Sequence, residues 1–208
     1  MKYDWKKFEK QYYLPGQVPQ EVELPKQKSI TIKGQGNPNS EGFSERIGIL
    51  YSVAYAIKMM PRHGFTPEGY FDFAVYPLEG CWGLTEKGIK LKEAGGLVKE
   101  ELIYTLMMKQ PDFVSEEVFQ RAIDYVTHKK PHNLLGEVHF ETVEAHRAVQ
   151  ILHIGSYDDE PMSFEKMTDF MAERGLKPRT LVHKEIYLKD ARKTAPEKRK
   201  TVLRYTIE

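Results

Sequence analysis

The sequence predicts an α+β fold in which two halves of one plan join into an antiparallel sheet, with helices on one face and a ligand cleft at the pseudo-twofold junction. Three observations predict it. The order strand, turn, helix, strand occurs twice, with "GFSERIGILY" matching "MSFEKMTDFM" in place and a strand at 70–78 matching one at 180–188. The stretch "TLVHKEIYLKD" (180–190) has a period of two, placing Leu181, His183, Glu185 and Tyr187 on one side and Val182, Lys184, Ile186 and Leu188 on the other. The composition, 40% hydrophobic and 29% charged, is that of an ordinary globular chain, which excludes wholesale disorder.

The elements follow in order. Residues 1–26 are polar, carry Pro15, Pro19 and Pro25, and read as an arm laid over a single domain that occupies 27–208. "QKSITIKGQGNPN" (27–39) is a strand running into a turn. Asn39 or Ser40 can cap the next helix, in which Ile47, Leu50, Tyr51, Ala54 and Ile57 recur at helical spacing until Pro61. "GYFDFAVYPLEGCWGL" (69–84) reads as a strand ending at Pro77 and a Glu-Gly turn. Phe71, Phe73 and Val75 share one of its faces; Tyr70, Asp72 and Tyr76 share the other. The middle reads as helical, from "VKEELIYTLMMKQ" (98–110) through "SEEVFQRAIDYVTHKK" (115–130), the latter capped by Ser115. "GEVHFETVEAHRAVQILHIG" (136–155) reads as two strands with a turn near Glu144–His146. A helix capped by Ser163 and ended by Gly175, the strand at 180–188 and a last strand "TVLRYTIE" complete the chain. Repeat one thus spans about 27–90, a helical insertion about 97–130, and repeat two about 136–208.

Helices are expected over the faces that carry Ile186, Leu188, Phe71 and Phe73. The opposite faces, with Glu185, His183, Tyr187, Tyr70 and Tyr76, are then the walls of the cleft. Twelve Tyr, ten Phe and two Trp suit a site that grips flat ligands, although each ring taken singly also fits a core.

Charge and cysteine content narrow the function classes. Lys and Arg total 31 against 30 Asp and Glu, so no basic surplus argues for nucleic acid or for an anionic membrane surface. The charge run "KDARKTAPEKRK" (189–200) has no interleaved aromatic and reads as a solvated loop. Cys81 stands alone and fits a reducing cytoplasm, and neither a secretory leader nor a membrane-spanning run is present in the sequence.

Four motifs taken together, "GNPNSEGFSERIGILYSVAYAIK", "YPLEGCWG", "QILHIGSYDDEP" and "HKEIYLKDARKTAPEKRKTVLR", resemble the GyrI-like proteins over nearly the whole chain from Lys26 onward. These are stand-alone relatives of the effector-binding domain of bacterial multidrug-responsive transcription activators. The resemblance implies a duplicated βαββ architecture shared with SOUL-type haem-binding proteins, and a central cleft for lipophilic, flat, often cationic xenobiotics. It places the family's central glutamate at Glu185 and its tryptophan at Trp82. The arm and the helices between the repeats resemble a longer branch whose members hydrolyse the cyclopropane of DNA-alkylating natural products. No helix-turn-helix segment is recognisable, which puts direct gene activation in doubt.

The residues allow two uses of Glu185, beside the plain alternative of an exposed strand glutamate paired with Lys184 or another neighbour. As a carboxylate it can meet a delocalised cation, with Trp82, Tyr55 or Tyr104 each adding about 0.5–2 kcal/mol of cation–π attraction. As a general base it can take a proton from water that attacks an electrophilic ring carbon. His183 and Tyr187 flank it, Tyr70 and Tyr76 are further wall residues, and Glu79 beside Gly80 is a turn residue or an acid. A non-catalytic sensing or sequestering module is the alternative function, and a topoisomerase-protecting interaction module a third. The expected partner is a small aromatic molecule. Pairs such as His139/Glu141 and His183/Glu185 lack a third ligand at a recognisable offset, so neither a metal nor a cofactor is expected, haem at His183 or His153 included.

Overall fold

The computed structural model describes residues 2–96 and 98–208; the expected start of the helical insertion at 97 lies outside the described residues. In chain order the elements are α1 (Trp5–Phe8), α2 (Lys10–Tyr13), β1 (Gln20–Leu24), β2 (Gln27–Gln35), α3 (Glu41–Met59), β3 (Leu78–Leu84) and α4 (Glu86–Glu93). There follow β4 (Leu102–Gln110), α5 (Glu116–Lys129), β5 (His139–Val143), β6 (His146–Ile154), α6 (Glu160–Glu173), β7 (His183–Tyr187) and β8 (Lys200–Thr206). Read along the chain, β2-α3-β3-β4 and β6-α6-β7-β8 are two βαββ runs, so the expected duplication and the α+β class hold.

The chain forms two compact units. Unit one comprises residues 2–4, 27–76 and 83–143. Its strands pair antiparallel in the order β4-β2-β5, with Ile30 opposite both Met108 and Phe140. Ser40 caps α3 by accepting the Phe43 N–H at 3.3 Å, which satisfies one of the donors a helix start leaves open. Ile49, Leu50, Val53, Ala54, Ala56 and Ile57 form the buried stripe of α3. The chain then tightens into a single 3-10 turn over Met60–His63, and Gly64, at φ +86°, takes the left-handed cap that other residues avoid. Ser115 caps α5 in the same way, and Val118, Phe119, Ala122 and Val126 are its buried residues.

Two sequence expectations fail in unit one. Residues 102–110 are strand β4, where a helix is expected. Tyr104, Leu106, Met107, Met108 and Gln110 are all buried, so the strand reads as a near-continuous apolar run, a pattern that periodicity cannot tell from a buried helix. Repeat one therefore runs on to β4, and α4, which shows no clear sequence signal, interrupts it. Residues 70–77 form no strand beyond a single bridge from Phe73 to Tyr3; the strand begins after Pro77, where it was expected to end. The rings of Tyr70, Phe71 and Phe73 gather on Phe113 with centroids 5.2–5.9 Å away, so ring packing rather than a ladder orders this stretch.

Unit two comprises residues 5–26, 77–82 and 144–208. Its strands run β1-β6-β8-β7-β3, all antiparallel. Ile151 lies opposite Leu203, and Leu203 opposite Glu185, so all three project from one face. On that face Val149, Ile151, Leu203 and Ile207 pack against Met167 and Met171 of α6, closed by Phe164, Phe170, Leu176 and Tyr205. The helix therefore covers the face that bears Glu185, not the face of Ile186 on which it was expected. The reason is the neighbouring strands: β6 and β8 put Val149, Ile151 and Leu203 beneath α6, whereas their other face mixes Ala148 and Val202 with the polar Gln150 and Arg204.

The opposite face is met by the N-terminal segment. The Arg204 guanidinium, 3% exposed, donates to Gln150 Oε1 from Nη2 at 2.7 Å and to the Tyr12 carbonyl at 2.5 Å. Gln150 Nε2 donates to the Gln11 carbonyl at 2.6 Å. These bonds fasten α2 to the sheet and satisfy a buried cation whose removal from water would otherwise be costly.

Candidate functional site

The site grows from the pairing of β3 with β7 in unit two. Gly80 lies opposite Glu185 and Trp82 opposite His183, so Trp82, His183, Glu185 and the diagonal Tyr187 share one face. Gly80 is inside the strand, not in a turn. A Cβ there would fall 2.7 Å from Trp82 Nε1 and 3.2 Å from the Tyr187 hydroxyl, so only glycine leaves room for those two groups to meet.

They meet in a chain of hydrogen bonds. Trp82 Nε1 donates to the Tyr187 hydroxyl oxygen at 2.8 Å, and that hydroxyl donates to Glu185 Oε2 at 2.9 Å. His183 Nε2 donates to the other oxygen, Oε1, at 2.9 Å. The Glu185 side chain is 13% exposed, and each of its carboxylate oxygens holds one donor. Such bonds fix the carboxylate plane.

Rings surround this chain. Tyr157 meets Tyr187 edge-on at 6.1 Å, and the Arg199 guanidinium carbon stands 5.0 Å over the Tyr157 ring. Phe164 and Tyr205 bracket His183 at 4.7 and 6.1 Å. Burial pushes the Tyr157 hydroxyl up to about 12. Burial, then the Glu185 charge, raises Tyr187 well above the usual phenol range, so both hydroxyls keep their protons.

A second carboxyl joins the first. Glu160 opens α6, is 6% exposed, and its Oε1 has no hydrogen-bond partner among the described residues. Burial first, then the charges of Glu185 and Asp158, push its carboxyl up to about 9. A helix N-terminus favours the ionised form by about 0.3–1 kcal/mol, which is small beside the several kcal/mol that burying an unpaired charge costs. Burial wins, so the Glu160 carboxyl keeps its proton at neutral pH.

Glu79 does not join this group. It lies on the other face of β3, is 2% exposed, and accepts from Lys184 Nζ at 2.7 Å, with the Tyr13 hydroxyl at a long 3.5 Å. Lys184 thus pairs with Glu79 rather than with Glu185. Four further expected ligand residues belong to unit one. Tyr104 is buried over Gly34 and edge-on to Phe43 at 5.0 Å; Tyr70 donates to the Lys58 carbonyl at 2.9 Å. Tyr76 is buried with the Lys109 ammonium 4.9 Å from its ring, whereas Tyr55 is 51% exposed beside Tyr51.

Tyr157, Glu160, Phe164 and Tyr205 were not singled out from the sequence. The signal for Glu160 exists: 160, 164, 167 and 171 fall on one helical stripe, and a carboxylate on the stripe of Phe164, Met167 and Met171 marks a buried acid. Starting that helix at Ser163 hides it. Ser163 is inside α6 and donates to His153 Nδ1 at 2.9 Å, because His153 Nε2 must carry the proton given to the Ser156 carbonyl. Among the described residues no group of three His, Cys, Asp or Glu is placed to hold a metal, and no helix is long and apolar enough to cross a membrane.

Comparison with known proteins bears on the fold and the family. The chain is 34% identical to a hydrolase from Listeria innocua encoded by lin2189, with 100% of each chain covered and a TM-score of 0.90. It is 33% identical to another structure of a hydrolase from Listeria innocua, again over 100% of each chain, with a TM-score of 0.88. The EcmrR C-terminal domain shares the fold at 14% identity and a TM-score of 0.56, covering 91% of this chain and 96% of that one. No curated protein matches the chain. The profile of the GyrI-like small molecule binding domain matches residues 17–204, and the chain belongs to that family.

Proposed function

We propose that the Glu185 cluster binds flat, lipophilic small molecules that carry a cationic or electrophilic centre. The observation that carries this reading is a carboxylate 13% exposed, held by two donors and set among Trp82, Tyr157, Phe164, Tyr187 and Tyr205. Rings supply contact area and negative faces; the carboxylate supplies the counter-charge. The two donors hold the carboxylate in one orientation, which suits it to meet the positive centre of a ligand. Fluorescence titration of the full chain with N-methylacridinium and with acridine tests the reading. Saturable binding with the cation preferred supports it, and no saturable binding of either probe sinks it.

A second reading is ring-opening of an activated cyclopropane; its support is the resemblance of the sequence motifs to the longer branch of the family, beside full-length similarity to Listeria proteins described simply as hydrolases. Here Glu185 takes a proton from water as the water oxygen bonds to the ring carbon. The ring C–C bond breaks, its electron pair moves onto a conjugated carbonyl whose oxygen is held by hydrogen bonds from Tyr or Trp donors, and that oxygen takes up a proton from solvent. Product analysis on an acyl-activated cyclopropane separates the readings: turnover lost in Glu185→Gln supports hydrolysis, and no turnover by the wild type leaves the site a binder.

A further inference from the structure

We propose that Glu160 is the second acid of the ligand site: it holds a proton while the site is empty and releases it when a cation settles beside Glu185. The inference rests on the binding reading above and adds a residue that sets specificity for ligand charge.

The geometry behind it is specific. Glu160 is 94% buried at the first turn of a fourteen-residue helix that covers the Glu185 face, and its Oε1 has no partner among the described residues. A buried carboxyl oxygen without a protein partner is a place where a water, an ion or a ligand can bond. The groups that act on it are known. Glu185 from β7 and Asp158 from the preceding turn both disfavour its charge. Tyr157 beside it keeps its proton, and the Arg199 guanidinium carbon stands 5.0 Å over that ring. His183 is bonded to Glu185 Oε1.

Two carboxyls in one poorly solvated site cannot both ionise without a compensating charge. A bound cation supplies that charge, so the proton on Glu160 leaves for solvent as the cation enters. Oε1 and Oε2 then become a second anionic wall. A neutral ligand of the same outline supplies no charge and displaces no proton. Cation capture is therefore linked to pH, and neutral capture is not.

Isothermal titration of the full chain with N-methylacridinium at pH 7.5, run in phosphate and in Tris, counts the protons released from the difference in heats. The wild type should release close to one proton per cation bound, and its affinity should climb toward tenfold per pH unit between pH 6 and 8.5. Glu160→Gln should still bind, with release near zero and a flat pH profile; acridine should release none. Binding of the cation without proton release overturns this inference alone. So does undiminished release in Glu160→Gln. Absence of cation binding in every buffer overturns the binding reading and this inference with it. The pH profile of the wild type decides the question should the variant fold poorly.

Discussion

The indole N–H of Trp82 and the hydroxyl of Tyr187 stand 2.8 Å apart on neighbouring strands, 105 residues apart in sequence. The same hydroxyl donates onward to Glu185, so an aromatic plate, a phenol and an acid form one oriented chain.

Tyr187→Phe keeps the ring and removes the link. Trp82 Nε1 and Glu185 Oε2 each lose a partner in a mostly buried place, which costs about 1–3 kcal/mol. Urea unfolding should show that loss with an unchanged slope.

Gly80→Ala tests the room that the strand leaves. The added methyl would press on Trp82 Nε1 at 2.7 Å and force the indole or the Tyr187 ring aside. A destabilisation of about 1–3 kcal/mol and a changed near-ultraviolet circular dichroism spectrum are expected. An unaltered spectrum at full stability would mean the strands do not pair in this register.

On the opposite face, Lys184 and Glu79 form a buried ion pair at 2.7 Å, with side-chain exposures of 12% and 3%. Lys184→Met or Glu79→Gln alone breaks the pair while its other half stays buried, and should cost about 3–5 kcal/mol. The double variant should cost far less than the sum, a coupling read from a double-mutant cycle.

Glu160 gives stability a pH dependence. The folded chain holds its proton up to about 9, whereas an unfolded glutamate releases it near about 4.3. Between those values the folded state binds more protons, so the contribution is full below the lower one and is lost as pH rises through the upper. Urea midpoints should fall from pH 5 to pH 9 in the wild type, and the fall should be shallower in Glu160→Gln.

Much of this was legible in the sequence. The period of two over 180–190 puts His183, Glu185 and Tyr187 on one face, where hydrogen bonds now join them. The caps at Ser40 and Ser115 mark two helix starts, and the repeated element order marks the duplication. What was not legible has physical causes. β4 begins "LIYTLMM", where apolar letters fall on both faces and carry no clear period, although only the face of Tyr104, Leu106, Met108 and Gln110 is buried throughout. The glycine of "LEGCW" looks like a turn because its reason for being there, room for two side chains from different strands, lies outside its own segment. Glu160 hides in "YDDEP", where three acids before a proline look solvated; only the packing of α6 shows that one of them is buried.

The most direct test of the central claim, that Glu185 is the fixed anion of a ring-walled ligand site, compares wild type with Glu185→Gln at pH 7.5 against N-methylacridinium and acridine. The account predicts a loss of about tenfold or more in affinity for the cation and little change for the neutral ring system, since about 1.4 kcal/mol of lost ion pairing is a factor of ten. Equal affinities of both proteins for the cation, or an equal loss for both ligands, would contradict it.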